Sequence, residues 1–95
     1  MKAISAFVVE GQPMDYDDSL LVAGVWFSLE AIPEEYVKYS LYHRVGQKQD
    51  YHINEYVWPG GEEPVRRWHR KDGEWFFMPW IEGLYGDPQP RSELT

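Results

Sequence analysis

The sequence predicts a mainly β protein: a single small domain built on an antiparallel sheet of five or six strands, curled or packed on itself, with an α+β variant if one helix forms at about 33–45. Three observations carry that prediction. Short runs rich in Val, Ile, Tyr, Phe and Trp recur along the chain. Clusters of Gly, Pro and Asp separate them, in "EGQPMDYDDS", "PGGEEP" and "KDG". Aromatic residues make up 17% of the 95 residues, and rings that each bury roughly 150–250 Å² can build one core in a chain too short to divide into two.

Residues 2–9, "KAISAFVV", alternate loosely and read as the first strand, leaving through the loop that holds Asp15, Asp17 and Asp18. Residues 20–30, "LLVAGVWFSLE", hold consecutive apolar residues, which suits a central strand covered on both sides, with Gly24 marking a bulge or a close contact. The segment 33–45, "PEEYVKYSLYHRV", carries opposing signals. Pro33, Glu34 and Glu35 at one end and His43, Arg44 and Gly46 at the other are helix punctuation. Its interior alternates as a strand does, with Val37, Tyr39, Leu41, His43 and Val45 on one side. The strand reading is preferred, because a five-residue loop at 45–49 then pairs Arg44 with Asp50, Tyr42 with His52 and Leu41 with Ile53, and sets Tyr51, Ile53, Glu55 and Val57 on one face.

The next two strands, 65–70 and 74–81, are predicted to form a hairpin around a three-residue "KDG" loop, with Gly73 in the left-handed position. Arg70 then faces Glu74, and Trp68 faces Phe76. One face holds Arg66, Trp68, Arg70, Phe76, Met78 and Trp80; the other holds Arg67, His69, Trp75 and Phe77. The short later loops suggest a meander. One globular domain is assigned to 1–86, and the Gly- and Pro-rich residues 87–95 to a flexible tail.

Formal net charge is −7, unevenly placed. Residues 1–36 hold one base and seven acids, 37–71 seven bases and four acids, and 72–95 one base and five acids. Such a balance disfavours nucleic acid, whose phosphates need a basic surface, and suits a protein partner with a basic face. No cysteine is present, which excludes disulfides, thiolate metal sites and a Cys nucleophile, and favours a reducing, cytoplasmic setting. No apolar run approaches the roughly 18–20 residues of a membrane span, and the first residues lack a full signal-peptide core.

No catalytic, cofactor-binding or metal residue is assigned. His43, His52 and His69 lack chelating spacing, "DYDD" lacks the Gly and distal Glu of a calcium loop, and the serines and glycines form neither a nucleophile elbow nor a phosphate loop. The expected function is a small acidic protein-binding domain, of the inhibitor, immunity or accessory-subunit type. Asp15, Asp17 and Asp18 would steer association and Trp68 or Trp80 would anchor it if exposed. The other reading is a ligand- or single-stranded nucleic-acid-binding module on residues 66–80, "RRWHRKDGEWFFMPW", where Arg66, Trp68, Arg70 and Trp80 would supply cations and stacking rings. A homodimer is a further expectation, because apolar strands and aromatic patches seek cover.

Overall fold

Alternation along β1 (Ile4–Gln12) sends Phe7, Val9 and Gly11 to one face of the sheet, where all three are buried, and Ala6, Val8 and Glu10 to the other. The computed structural model describes residues 3–12, 21–38, 40 and 50–94. β1 pairs along its whole length with β3 (Asp50–Trp58), from Ile4 opposite Trp58 to Gln12 opposite Asp50. Its other edge takes β2 (Leu21–Trp26). Beyond β3 come β4 (Arg66–Lys71), β5 (Glu74–Ile81) and β6 (Leu84–Tyr85), giving the antiparallel order β2-β1-β3-β4-β5-β6, while β7 (Gln89–Pro90) also pairs with β5. From β3 to β6 this is the expected meander; β1 lying between β2 and β3 breaks it.

The pairing corrects the expected hairpin between 33–45 and 50–57. Ile53 has Val9 on one side and Trp68 on the other, so both its edges are taken by β1 and β4; Leu41 itself lies outside the described residues. Residues 34–38 instead form a short helix, α1 (Glu34–Lys38), so the punctuation by Pro33, Glu34 and Glu35 prevails over the alternation. Five residues make no stable helix alone; Val37, 2% exposed, holds it by packing onto the sheet. Ser40 ties its end to β4: the hydroxyl donates to the Val37 carbonyl at 2.6 Å and accepts the Arg70 amide at 3.3 Å. The expected loop at 45–49 and the Arg44–Asp50 and Tyr42–His52 pairs rest on residues outside those described.

Among the described residues β2 lies at the edge of the sheet, not at its centre. Its apolar run is open to water, with Val22 62%, Val25 48% and Phe27 69% exposed. Gly24 is the close contact its position suggested: a Cβ there would lie 2.5 Å from the Trp26 ring. The β1–β2 register also shifts between Val9 and Glu10, so the bulge falls next to it.

The β4–β5 hairpin turns on two residues rather than three. Asp72 and Gly73 have φ of 53° and 79°, the left-handed pair of a type I′ turn. Lys71 therefore faces Glu74, Arg70 faces Trp75 and Trp68 faces Phe77. One step of register exchanges the faces of the second strand, so Trp75 and Phe77 join Arg66, Trp68 and Arg70, whereas Phe76, Met78 and Trp80 join Arg67 and His69. Glu82 and Gly83, at φ 48° and 90°, turn β5 into β6 in the same way. The residues assigned to a flexible tail, 87–95, include β7 and a 3-10 turn at Arg91–Leu94.

The core lies on the face of Phe7, Val9, Ile53, Trp68 and Phe77, closed by Leu29, Ile32 and Val37 from the chain that crosses over it. Trp26, Tyr36, Tyr51 and Trp75 ring its margin. On the opposite face the sheet curls. Tyr85 on β6 donates to Asn54 Oδ1 on β3 at 3.1 Å, although two strands lie between them and a flat sheet would part those strands by about 14 Å. Among the described residues no helix is long and apolar enough to cross a membrane.

Candidate ligand-binding cleft

Glu55 sits on the inward face of β3, between Phe7 of β1 and Arg66 of β4. It is 3% exposed, and a carboxylate removed from water needs donors. The neighbouring strands supply them. Ser5 Oγ donates to Oε2 at 2.6 Å, while Arg66 Nη1 and Trp68 Nε1 donate to Oε1 at 2.7 and 2.8 Å. Arg66 and Trp68 share this face because they stand two residues apart on one strand.

Above this network opens a cleft of about 490 Å³. Phe7, Leu29 and Trp68 form its apolar base, and Arg66 and Arg91 bring guanidinium groups to its walls. The 3-10 turn that carries Arg91 also brings Leu94 to the rim. Arg91 is oriented from outside: Nη1 donates to Glu30 Oε1 at 2.7 Å, and the guanidinium carbon lies 6.0 Å from the Trp68 ring centre. The hydrogen bond from Arg91 holds the Glu30 carboxyl below its usual pKa, aided by Glu30's own backbone amide.

The residues singled out in the sequence are brought together only in part. Arg66 and Trp68 meet at Glu55, but Trp68 is 3% exposed and does not meet the condition of an exposed anchor. Arg70 is ion-paired with Glu34 of α1 and lies 6.0 Å from the Trp75 ring. Trp80 is on the other face, half-buried against Tyr85, with Nε1 donating to Glu63 Oε2 at 3.3 Å. There it borders a second recess of about 460 Å³ that also includes Glu62 and Glu63. Asp15, Asp17 and Asp18 lie outside the described residues, as does His43.

On the Trp80 face, Arg67 donates through Nε to Asn54 Oδ1 at 2.9 Å and lies 4.0 Å over the Tyr85 ring. Burial pushes the Tyr85 hydroxyl up in pKa and likewise that of Tyr56. His69 is buried beside Phe76, and among the described residues its Nδ1 has no hydrogen-bond partner. Burial, then the charge of Lys71, lowers its pKa. Among the described residues no three His, Asp or Glu side chains gather as a metal site.

Sequence reasoning did not select Glu55, Ser5 or Arg91. A signal for Glu55 was present: it is the one charged residue in the inward series Tyr51, Ile53, Glu55, Val57. Nothing local marks Ser5, which reaches Glu55, or Arg91, which reaches the cleft, from opposite ends of the chain. Comparison with protein-family models, with curated proteins and with solved structures finds no match for this chain.

Proposed function

We propose that this chain is a small acidic protein-binding domain, of the inhibitor, immunity or accessory-subunit type, that docks without catalysis on the basic surface of a partner protein in the cytoplasm. The observation that carries the reading is where the charges go. Arg66, Arg70 and Arg91 are each ion-paired with a carboxylate of the same chain. Glu35, Glu62, Asp72, Glu74, Glu82, Asp87 and Glu93 face solvent with no ion pair among the described residues. The outward field of the described surface is therefore acidic, as an encounter with a basic partner requires.

The placement of the basic residues weakens the nucleic-acid reading, since Arg66 and Arg70 lie on one face of β4 and Arg67 on the other, so the three line no single track for a phosphate backbone. The Trp80 recess supplies an anchor suited to a basic side chain: an aromatic ring next to Glu62 and Glu63 favours a Lys or Arg that enters. Asp15, Asp17 and Asp18 remain the proposed steering acids. Pairing of two copies along the edge of β2 that has no partner among the described residues belongs to the same proposal, with Val22, Val25 and Phe27 as the apolar surface to be covered.

Affinity capture from the native cell extract, with and without nuclease, followed by binding kinetics on the purified pair, tests the docking reading. The expected result is a nuclease-resistant protein whose association rate falls steeply with salt and drops further in a Glu62→Lys/Glu63→Lys variant. Capture that disappears with nuclease, or association indifferent to both salt and charge reversal, refutes it.

A further inference from the structure

We infer that the cleft over Glu55 binds a small molecule carrying a carboxylate on a flat apolar body, a function separate from the docking of a protein. A cleft of about 490 Å³ falls in the size range of small-molecule sites, and four of its eight lining residues are apolar. The polar groups decide the charge of the occupant. Glu55 takes three donors on its two oxygens, so it has little capacity left to receive a cation.

The guanidinium groups are in the opposite position. Each has five N–H donors, and within the described residues Arg66 commits Nη1 to Glu55 while Arg91 commits Nη1 to Glu30. The remaining donors of two arginines on one cleft suit the planar fork of a carboxylate, and the carboxylates behind them limit the freedom that binding would otherwise remove. Leu94, 40% exposed, offers an apolar side chain to the rest of the ligand, above a floor of Phe7, Leu29 and Trp68 that is only 3–8% exposed.

The test is a titration of the whole chain, labelled with ¹⁵N, by 2-naphthoate, its neutral analogue 2-naphthalenemethanol, and inorganic phosphate, following the tryptophan indole N–H signals. Trp68 Nε1 reports on the cleft through its bond to Glu55, and Trp80 Nε1, on the other face, is the internal reference. The expected result is a saturable shift of the Trp68 signal with naphthoate and little change at Trp80. Binding should weaken about tenfold or more for the alcohol, and by the same order for naphthoate in an Arg91→Gln variant, the scale of a lost charge-assisted hydrogen bond. Arg91 is 49% exposed and donates to Glu30 rather than to Glu55, so this variant should keep the wild-type backbone amide spectrum away from the cleft. No saturable shift at Trp68, equal binding of acid and alcohol, phosphate binding as tight as naphthoate, or an unchanged Arg91→Gln affinity would each overturn the assignment.

Discussion

Glu55→Ala removes the common acceptor of three hydrogen bonds, and the cost follows from what each donor can do next. Ser5 is part-buried and its hydroxyl can rotate toward another acceptor or water, so its share is small. Trp68 is 3% exposed, and an indole N–H left without a partner there costs about 1–3 kcal/mol. Arg66 retains 27% exposure of its side chain and can partly rehydrate, which keeps its share below the roughly 3–5 kcal/mol of a fully buried pair that loses one member. The total is about 3–4 kcal/mol, or a fall in Tm of roughly 15–25 °C for a chain of this size. Glu55→Gln keeps an oxygen for Arg66 and Trp68 and turns an amide toward Ser5, so only charge assistance is lost, about 1–2 kcal/mol. Urea unfolding followed by tryptophan fluorescence and far-UV circular dichroism measures both, with the denaturant slope unchanged because the surface exposed on unfolding is the same. An alanine variant within about 1 kcal/mol of wild type, or a glutamine variant as damaged as the alanine, would refute the reasoning that Glu55 acts by satisfying buried donors.

Gly73→Ala places a side chain at φ 79°, and the left-handed penalty of about 1–2 kcal/mol should appear in a thermal melt, whereas Asp72→Asn, at φ 53°, should be neutral because Asn tolerates that region. His69 gives a pH dependence whose sign is set by its lowered pKa. The unfolded chain takes up the proton at the ordinary value of 6.5, before the folded chain does, so stability is complete above that pH and declines as pH falls from there toward the folded value. His69→Leu should flatten this slope between about pH 7 and pH 5 in urea unfolding, and a slope equal to wild type would show that His69 does not cause it.

Much of the sheet is legible in the chain because period-two alternation is a local property. It marks β1, β3, β4 and β5, puts Phe7 beside Val9 on an inward face, and even marks Glu55 as a carboxylate among core positions. The stretch Lys71–Asp72–Gly73 likewise marks the place of a turn, though not its length. Three other features depend on neighbours that no local window contains. The apolar run of β2 has the same composition whether a strand is central or at an edge, and only the insertion of β1 between β2 and β3 decides it. Residues 33–38 carry helix and strand signals together, and the helix prevails because both edges of β3 at Ile53 are taken by Val9 and Trp68. The hairpin register differs by one residue between a two- and a three-residue loop, and the observed choice is the one that buries Phe77 with Trp68.

The cleft shows the same division. Composition and charge determined by themselves an acidic, cysteine-free, aromatic-rich β domain, with Arg66 and Trp68 in its most cationic stretch. Only the tertiary structure decided that Arg66 is neutralised by Glu55, that Trp68 is core, and that Arg91 faces both from the far end of the chain. The reason is physical: alternation and turn chemistry act over a few residues, whereas strand pairing and the neutralisation of a buried charge join groups such as Ser5 and Glu55, 50 residues apart.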